Sequence, residues 1–287
     1  MNKKIVIIRT KAGHKYAERI AEKINSFGTE CCGVVCWKEL DNFLAQQKCT
    51  PEKTLLHYRS TGPKIITPKA YELERKGYQL INPAKVLDRT GDKFHSYEWA
   101  HQHKIVLPLT KKGTRNKIKY YINKFAFPRF ILKPTNSIGG GAFCFLSSLN
   151  DPKIDYKLSQ IPGEEIIFQK FVEYAKIYRV IVIGNKILDQ AVFYDEPNSS
   201  RWKVSVCINP EMKLDKNPDP KLLSYAKHLA DIFESEIAFI DIYETKDGYV
   251  LSEINTACNL ALHEHKSGYS ISEDIAKYLI SKLNKKV

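Results

Sequence analysis

The sequence predicts two architectures in series: an α/β part on a parallel sheet, then an α+β part built from antiparallel hairpins. Alternation is the first observation behind this. Short β-branched runs at 4–9, 34–37, 54–59 and 78–81 alternate with helix-patterned stretches at 14–27, 38–46 and 68–76, the order that gives parallel strands with crossover helices. The second is a pair of hairpin signals, Gly184-Asn185 within 177–188 and Lys246-Asp247-Gly248 between the apolar runs 238–245 and 249–255. The third is size: 287 residues, 43% of them hydrophobic, are enough for two domains or one domain with lobes.

Residues 4–9 read as a first strand, since the apolar run is too short for a signal peptide and no small-residue cleavage site follows. In 14–27, Tyr16, Ile20 and Ile24 share one helical side, and Gly28 is a stop signal. Lys11-Ala12-Gly13-His14 is a poor match to a dinucleotide loop. Asn82-Pro83 is expected to begin a linker. Asp92 is a fair N-cap for a helix over 93–103, with a short extended segment at 105–109 and a basic helix near 114–124. Residues 129–145 read as strand, glycine-rich loop, strand. A buried strand at 165–172, the hairpin at 177–188, a strand at 191–194 and a polar, basic loop at 198–203 follow. A helix over 220–234, the second hairpin and an amphipathic helix over 272–285 complete the chain.

Three stretches carry chemistry. If Lys246-Asp247-Gly248 is a three-residue loop, Thr245 pairs with Tyr249 and Asp241 faces Glu253, with Asn255 on the same side. Two carboxylates and an amide oxygen on one wall need a cation when dry, and oxygen-only ligands suit Mg²⁺. The alternative is the solvated face of a surface hairpin. In the second stretch, Lys133 ends a strand just before Pro134, and Ser137 with Gly139, Gly140 and Gly141 leads into the next strand. Such a loop brings backbone N–H groups close to phosphate oxygens, and the lysine adds a point charge. An ordinary hairpin turn is the alternative, and no Walker motif is present. The third is Arg179, a lone arginine in an apolar strand. Such a residue is paired or functional, or else faces the surface.

The net charge is +13 with a pI of about 9.2, which favours acidic partners. The basic residues are spread along the chain without a basic tail, and no series of stacking aromatics follows a basic groove, so nucleic acid is the weaker partner class. No apolar run approaches the roughly 20 residues of a membrane span. The seven cysteines are odd in number and most lie in apolar runs, so buried free thiols and a cytoplasmic location are expected.

In this order the pieces resemble an ATP-grasp ligase, most closely the RimK-type carboxylate–amine (glutamate) ligases. The resemblance covers roughly residues 85–287, with 1–84 compatible with the family's preceding α/β domain. It implies a pre-ATP-grasp domain over 1–84, a small lobe with the glycine loop over 85–168, and a large lobe over 169–287. The twelve-residue separation of Asp241 from Glu253-Ile254-Asn255 matches the branch in which these three side chains hold Mg²⁺. Lys93, Lys133, Arg179 and Arg201 match too. By this resemblance ATP, with Mg²⁺ or Mn²⁺, is held by Lys93, Lys133, the glycine loop and a hinge over Gln169, Lys170, Phe171, Val172 and Glu173. Arg179 and Arg201 stabilise charge as a substrate carboxylate is phosphorylated and the acyl phosphate is attacked by an amine. Two departures stand out. Thr256-Ala257-Cys258-Asn259 replaces the family's frequent Ser-Pro-Gly, and the hinge is Gln169-Lys170-Phe171 rather than Gln-Glu-Tyr. An acidic small molecule, peptide or protein is the expected substrate, and a homo-oligomer is compatible with the sequence. An ATP-grasp kinase or peptide macrocyclase is the alternative on the same scaffold. The other is a basic nucleic-acid-binding protein with a degenerate nucleotide site.

Overall fold

The structure, a computed structural model, describes residues 3–10, 14–59, 65–135, 143–195 and 213–285. The expected succession of architectures is present. Strands β1 (Lys4–Arg9), β2 (Glu30–Cys36), β3 (Thr54–Tyr58) and β4 (Gln79–Ile81) form a parallel sheet in the order β2-β1-β3-β4. Helices α1 (His14–Ser26), α2 (Leu40–Gln46) and α3 (Thr67–Arg75) connect them.

The expected linker at Asn82-Pro83 is instead a clamp. Asn82 is buried, donates to Ile237 O at 2.8 Å and accepts from the N–H groups of Glu236 and Ile237 at 2.7 and 2.9 Å. Helix α4 (Ala84–Gly91) begins directly after Pro83, and its free first N–H is capped by Glu74 at 2.8 Å. Ala84 and Leu87 enter the core of the parallel sheet, so a boundary at 84 falls where the chain is packed.

Helix α5 (Lys93–Gln102) is capped by Asp92, which accepts from the N–H groups of Phe94 and His95. Residues 105–109 form no strand; pairing starts one residue later. Four antiparallel strands, β5 (Thr110–Gly113), β6 (Phe130–Pro134), β7 (Phe145–Ser147) and β8 (Ile166–Lys170), make a sheet in the order β5-β8-β6-β7. Its apolar face packs Phe130, Leu132 and Phe168 against α6 (Arg115–Phe125) and α7 (Ile154–Gln160). Alternation turns Lys133 and Gln169 to the opposite face. The lobe division expected at 168 therefore cuts a strand; the change of sheet follows Lys170.

The third sheet runs β12-β11-β9-β13-β14, with the short β10 (Lys186–Ile187) paired to β9 (Lys176–Ile183). The others are β11 (Ala191–Asp195), β12 (Lys213–Asp215), β13 (Ile237–Thr245) and β14 (Gly248–Asn255). One face, with Val180, Val182, Ala238 and Ile240, packs on α8 (Pro220–Ile232). The other, with Ile181, Ile183, Ile237 and Phe239, shares one core with β1, α1 and α10 (Ile271–Asn284). The short α9 (Ala261–Ser267) precedes α10. Cys31, Cys32 and Cys36 are half-buried rather than buried; the described cysteines are free thiols.

Candidate functional site

The site grows from the polar end of that second face. Asp241 lies across β13-β14 from Glu253, and Phe239 lies across from Asn255, so Asp241, Glu253 and Asn255 share the side of Phe239. The expected pairing of Thr245 with Tyr249 is corrected by one residue. Thr245 faces Gly248 and the loop is Lys246-Asp247 alone, because Gly248, at φ +119°, enters the ladder itself. Ser252 then bulges out as an extra residue between Leu251 and Glu253, which restores the opposition of the carboxylates.

β9 supplies the neighbour on the other side. Arg179 stands across from Asp241 and donates through Nε and Nη2 to its two carboxylate oxygens at 2.7 and 2.8 Å. The side chains are 7% and 8% exposed. Arg179 is thus paired rather than surface-facing. Burial pushes the Asp241 carboxyl above its ordinary value, against the pull of Arg179.

Lys93 enters from the first turn of α5 and donates through Nζ to Glu253 Oε1. Its own N–H donates to Thr135 O at 3.0 Å, so the end of β6 is tied to the start of α5. Burial alone would raise the Glu253 carboxyl; Lys93, with Lys133 and Arg179 behind it, outweighs burial and holds it below the usual range. The same charge pair outweighs burial at Lys93 and raises its ammonium.

From the four-stranded sheet, Lys133 Nζ donates to Gln169 Oε1 at 2.9 Å and to the Tyr97 hydroxyl at 3.1 Å. Gln169 in turn donates to Thr110 Oγ1 at 2.9 Å, and Tyr97 donates to Ser252 O at 2.7 Å. Tyr97, Thr110 and the Ser252 bulge were not legible as site residues. The signal for Tyr97 was its place one helical turn after Lys93. A pocket between α5 and β14, lined by Thr90, Lys93, Tyr97 and Glu253 among others, adjoins this network.

The hinge residues fall at the edge of this group. Gln169 is buried and acts through its side chain. The N–H groups of Lys170 and Phe171 donate to Leu109 O at 2.9 Å and Arg129 O at 3.2 Å. Arg129 also stacks on Phe171 with its guanidinium 4.1 Å from the ring centre, and pairs with the exposed Glu173 at 3.0 Å. Val172 is partly buried beside the Phe171 cluster. Ser137, Gly139, Gly140, Gly141 and Arg201 lie outside the described residues.

The structure therefore brings Lys93, Lys133, Arg179, Asp241 and Glu253 into one connected region where α5 meets the four-stranded and six-stranded sheets, with Asn255 on the same wall. Among the described residues no three His, Cys, Asp or Glu side chains are placed to hold a metal. The wall offers two carboxylates and an amide, an all-oxygen set that fits Mg²⁺ or Mn²⁺. That two cationic side chains now answer those carboxylates shows that the wall attracts positive charge.

Residues 90–279 match a family described as the RimK-like ATP-grasp domain. Over 191 residues the chain is 28% identical to the coenzyme gamma-F420-2:alpha-L-glutamate ligase of Methanocaldococcus jannaschii; the match takes in 64% of this chain and 64% of that protein. Among solved structures, the ATP-grasp ligase PsnB complexed with a minimal precursor, Mg and ADP superposes with a TM-score of 0.67 at 14% identity, covering 97% of each chain. The macrocyclase MdnC bound with precursor peptide MdnA, from Microcystis aeruginosa, gives 0.66 at 15% identity, covering 96% of this chain and 99% of that one. These likenesses show the shared fold. The family match spans well over half of the sequence, and this chain belongs to the RimK-like ATP-grasp family.

Proposed function

We propose that the protein is an ATP-dependent ligase that joins a carboxylate to an amine, releasing ADP, with an acidic amino acid, peptide or protein as substrate. The observation that carries this reading is the meeting of Lys93, Lys133 and Arg179, from three different elements, with the oxygen wall of Asp241, Glu253 and Asn255. Lys93 and Lys133 bind phosphate oxygens. Ser137, Gly139, Gly140 and Gly141 would hold the terminal phosphate, and the hinge over Gln169, Lys170, Phe171, Val172 and Glu173 would hold the base. Asp241, Glu253 and Asn255 hold Mg²⁺, which supplies charge neutralisation at the phosphates. Arg179 and Arg201 balance the negative charge that builds as the carboxylate is activated to an acyl phosphate and the amine attacks. Residues 1–84 form the preceding domain and the two later sheets the two lobes. The named relative acts on glutamate, and the superposed ligases hold ADP with Mg or precursor peptides, which supports an acidic or peptidic substrate. Free thiols at the described cysteines fit a reducing cytoplasm.

The test is ADP release with Mg²⁺-ATP and a panel of acidic amino acids and acidic peptides, with hydroxylamine added to trap an acyl phosphate and mass spectrometry of the product. A hydroxamate and an amide-linked product are expected. Glu253→Gln is expected to lower ADP release on the order of 100-fold or more without unfolding the protein. A stable phosphoester product would make the enzyme a kinase; intramolecular loss of water from a peptide would make it a macrocyclase.

A further inference from the structure

The parallel sheet ends in two arginines on the face it shares with the six-stranded sheet. Arg9 closes β1 and Arg59 follows β3, and the Arg59 N–H donates to Ile8 O at 2.7 Å, so the two are lateral neighbours. Alternation puts both on the side of Ile7 and Leu55, facing the common core. Arg59 is 3% exposed. Its Nη2 donates to Cys258 O, and the guanidinium lies 5.3 Å from the ring centre of Phe239. Its Nε and Nη1, together with Arg9 Nε, are buried without an acceptor among the described residues.

The Cys258 side chain also hydrogen-bonds Arg59, but among the described residues no carboxylate is committed to its charge. The Glu264 carboxylate reaches it electrostatically, but Glu264 Oε2 accepts from Arg19 at 3.0 Å and Oε1 from the Ser272 N–H at 2.7 Å. His57, on the same strand face, is neutral at pH 7, since burial holds its imidazole down to about 4. A buried guanidinium with open donors is costly unless an anion fills the space. The carboxyl edge of a parallel sheet is also where such sheets receive ligands. Cys258 is three residues beyond Asn255, a span of at most about 10 Å, so Arg59 sits beside the oxygen wall. After this loop, in α9, His263 is buried with Nδ1 unpartnered among the described residues, within reach of the Arg179 charge.

We propose that Arg59, with Arg9 beside it, is a carboxylate subsite that grips the acid group of the substrate that does not react. The inference rests on the ligase reading and names its substrate as a molecule with two carboxylates, one at Arg179 and the oxygen wall, the other at the edge of the parallel sheet. Specificity for acidity then comes from the N-terminal sheet, which supplies no described residue to the lysine network.

Thermal unfolding of the full chain tests this, with L-glutamate against L-glutamine as probes at constant ionic strength and Mg²⁺ with a non-hydrolysable ATP analogue as a separate arm. The wild type is expected to gain saturable stability from L-glutamate at a concentration at least tenfold lower than from L-glutamine. Arg59→Met and Arg9→Met are each expected to remove that preference while keeping the shift given by the nucleotide. Arg9→Met leaves the Arg59–Cys258 contact in place, so it reports even if Arg59→Met does not fold. Equal responses to the two probes, or a preference unchanged in Arg9→Met, overturn the subsite. A wild type that prefers L-glutamate but shows no shift with Mg²⁺ and the nucleotide analogue overturns the ligase reading, and with it the placing of the second carboxylate at the oxygen wall, while the carboxylate site at Arg59 and Arg9 stands.

Discussion

The two walls of the site treat charge differently. On the six-stranded sheet, Asp241 is matched by Arg179 and Glu253 by Lys93, and the first pair is dry. On the four-stranded sheet, Lys133 rests on an amide oxygen and a phenol, both neutral. The first wall is closed on itself electrostatically, while the second presents a positive charge held in place by dipoles. A polyphosphate bound as proposed would meet on one side a lysine hydrogen-bonded only to uncharged groups, with Glu253 reached through space. On the other, the proposed reaction would have to redistribute pairs that already exist, and a divalent cation at Asp241 would compete with Arg179 for the same two oxygens.

That contrast can be broken by substitution. Arg179→Met leaves Asp241 buried and alone, with an expected loss of about 3–5 kcal/mol in urea unfolding; Arg179→Met with Asp241→Leu should recover most of it. Acid provides the next largest effect. His57 is fully buried with its pKa held down to about 4, so the unfolded chain takes up the proton first as the pH falls. Stability from this group is present above about pH 6.5 and is lost as the pH drops from there towards 4, by up to about 3 kcal/mol. His57→Asn should flatten that part of the stability profile, and a profile unchanged by the substitution would place the acid sensitivity in the walls. Lys133→Met is expected to cost only about 1–2 kcal/mol, because its partners are uncharged, while raising the KM for ATP at least tenfold. If it destabilises as much as Arg179→Met, the walls are not different in kind. Tyr97→Phe is the gentlest change. Removing the hydroxyl between Lys133 and Ser252 O should cost about 1 kcal/mol and raise the KM for ATP a few-fold, with kcat little changed.

Much of this was legible because periodicity reports on faces. The alternation of 238–245 and 249–255 was enough to set Asp241 against Glu253. That agreement came from two shifts that cancel: the turn is one residue shorter than expected, and Ser252 adds the residue back. Neither shift has a marker in the side-chain pattern, since Gly248 serves equally well in a turn and at the start of a strand. The Asp92 cap and the helix it starts were also legible. Helices α4, α7 and α9 and strand β12 were not, being short elements whose positions are set by packing more than by local pattern. Asn82 was misread because Asn-Pro is a common turn pair, and only the fold shows its amide joining the Ile237 backbone. Lys133 was legible as a strand-end lysine beside a glycine-rich loop and Lys93 by resemblance to the family, whereas the chain from Lys133 to Gln169 and Thr110 depends on strands paired across distant sequence, and that to Tyr97 on α5 docking against them.

The core common to β1, α1, β9, β13 and α10 also bears on how the polypeptide is made. Ile5 and Ile7 share this core with Ile275, Leu279 and Leu283, partners synthesised some 270 residues later (275 − 5). At translation speeds of about 5–20 residues per second, the apolar face of the nascent parallel sheet stays uncovered for tens of seconds. During that interval the emerging chain exposes a sticky Ile- and Leu-rich surface on the ribosome, which is an opening for chaperones and for aggregation alike. Helix α10 acts as the latch that ends this exposure, so loss of the segment from Ile271 onward would be felt first at β1, far away in sequence.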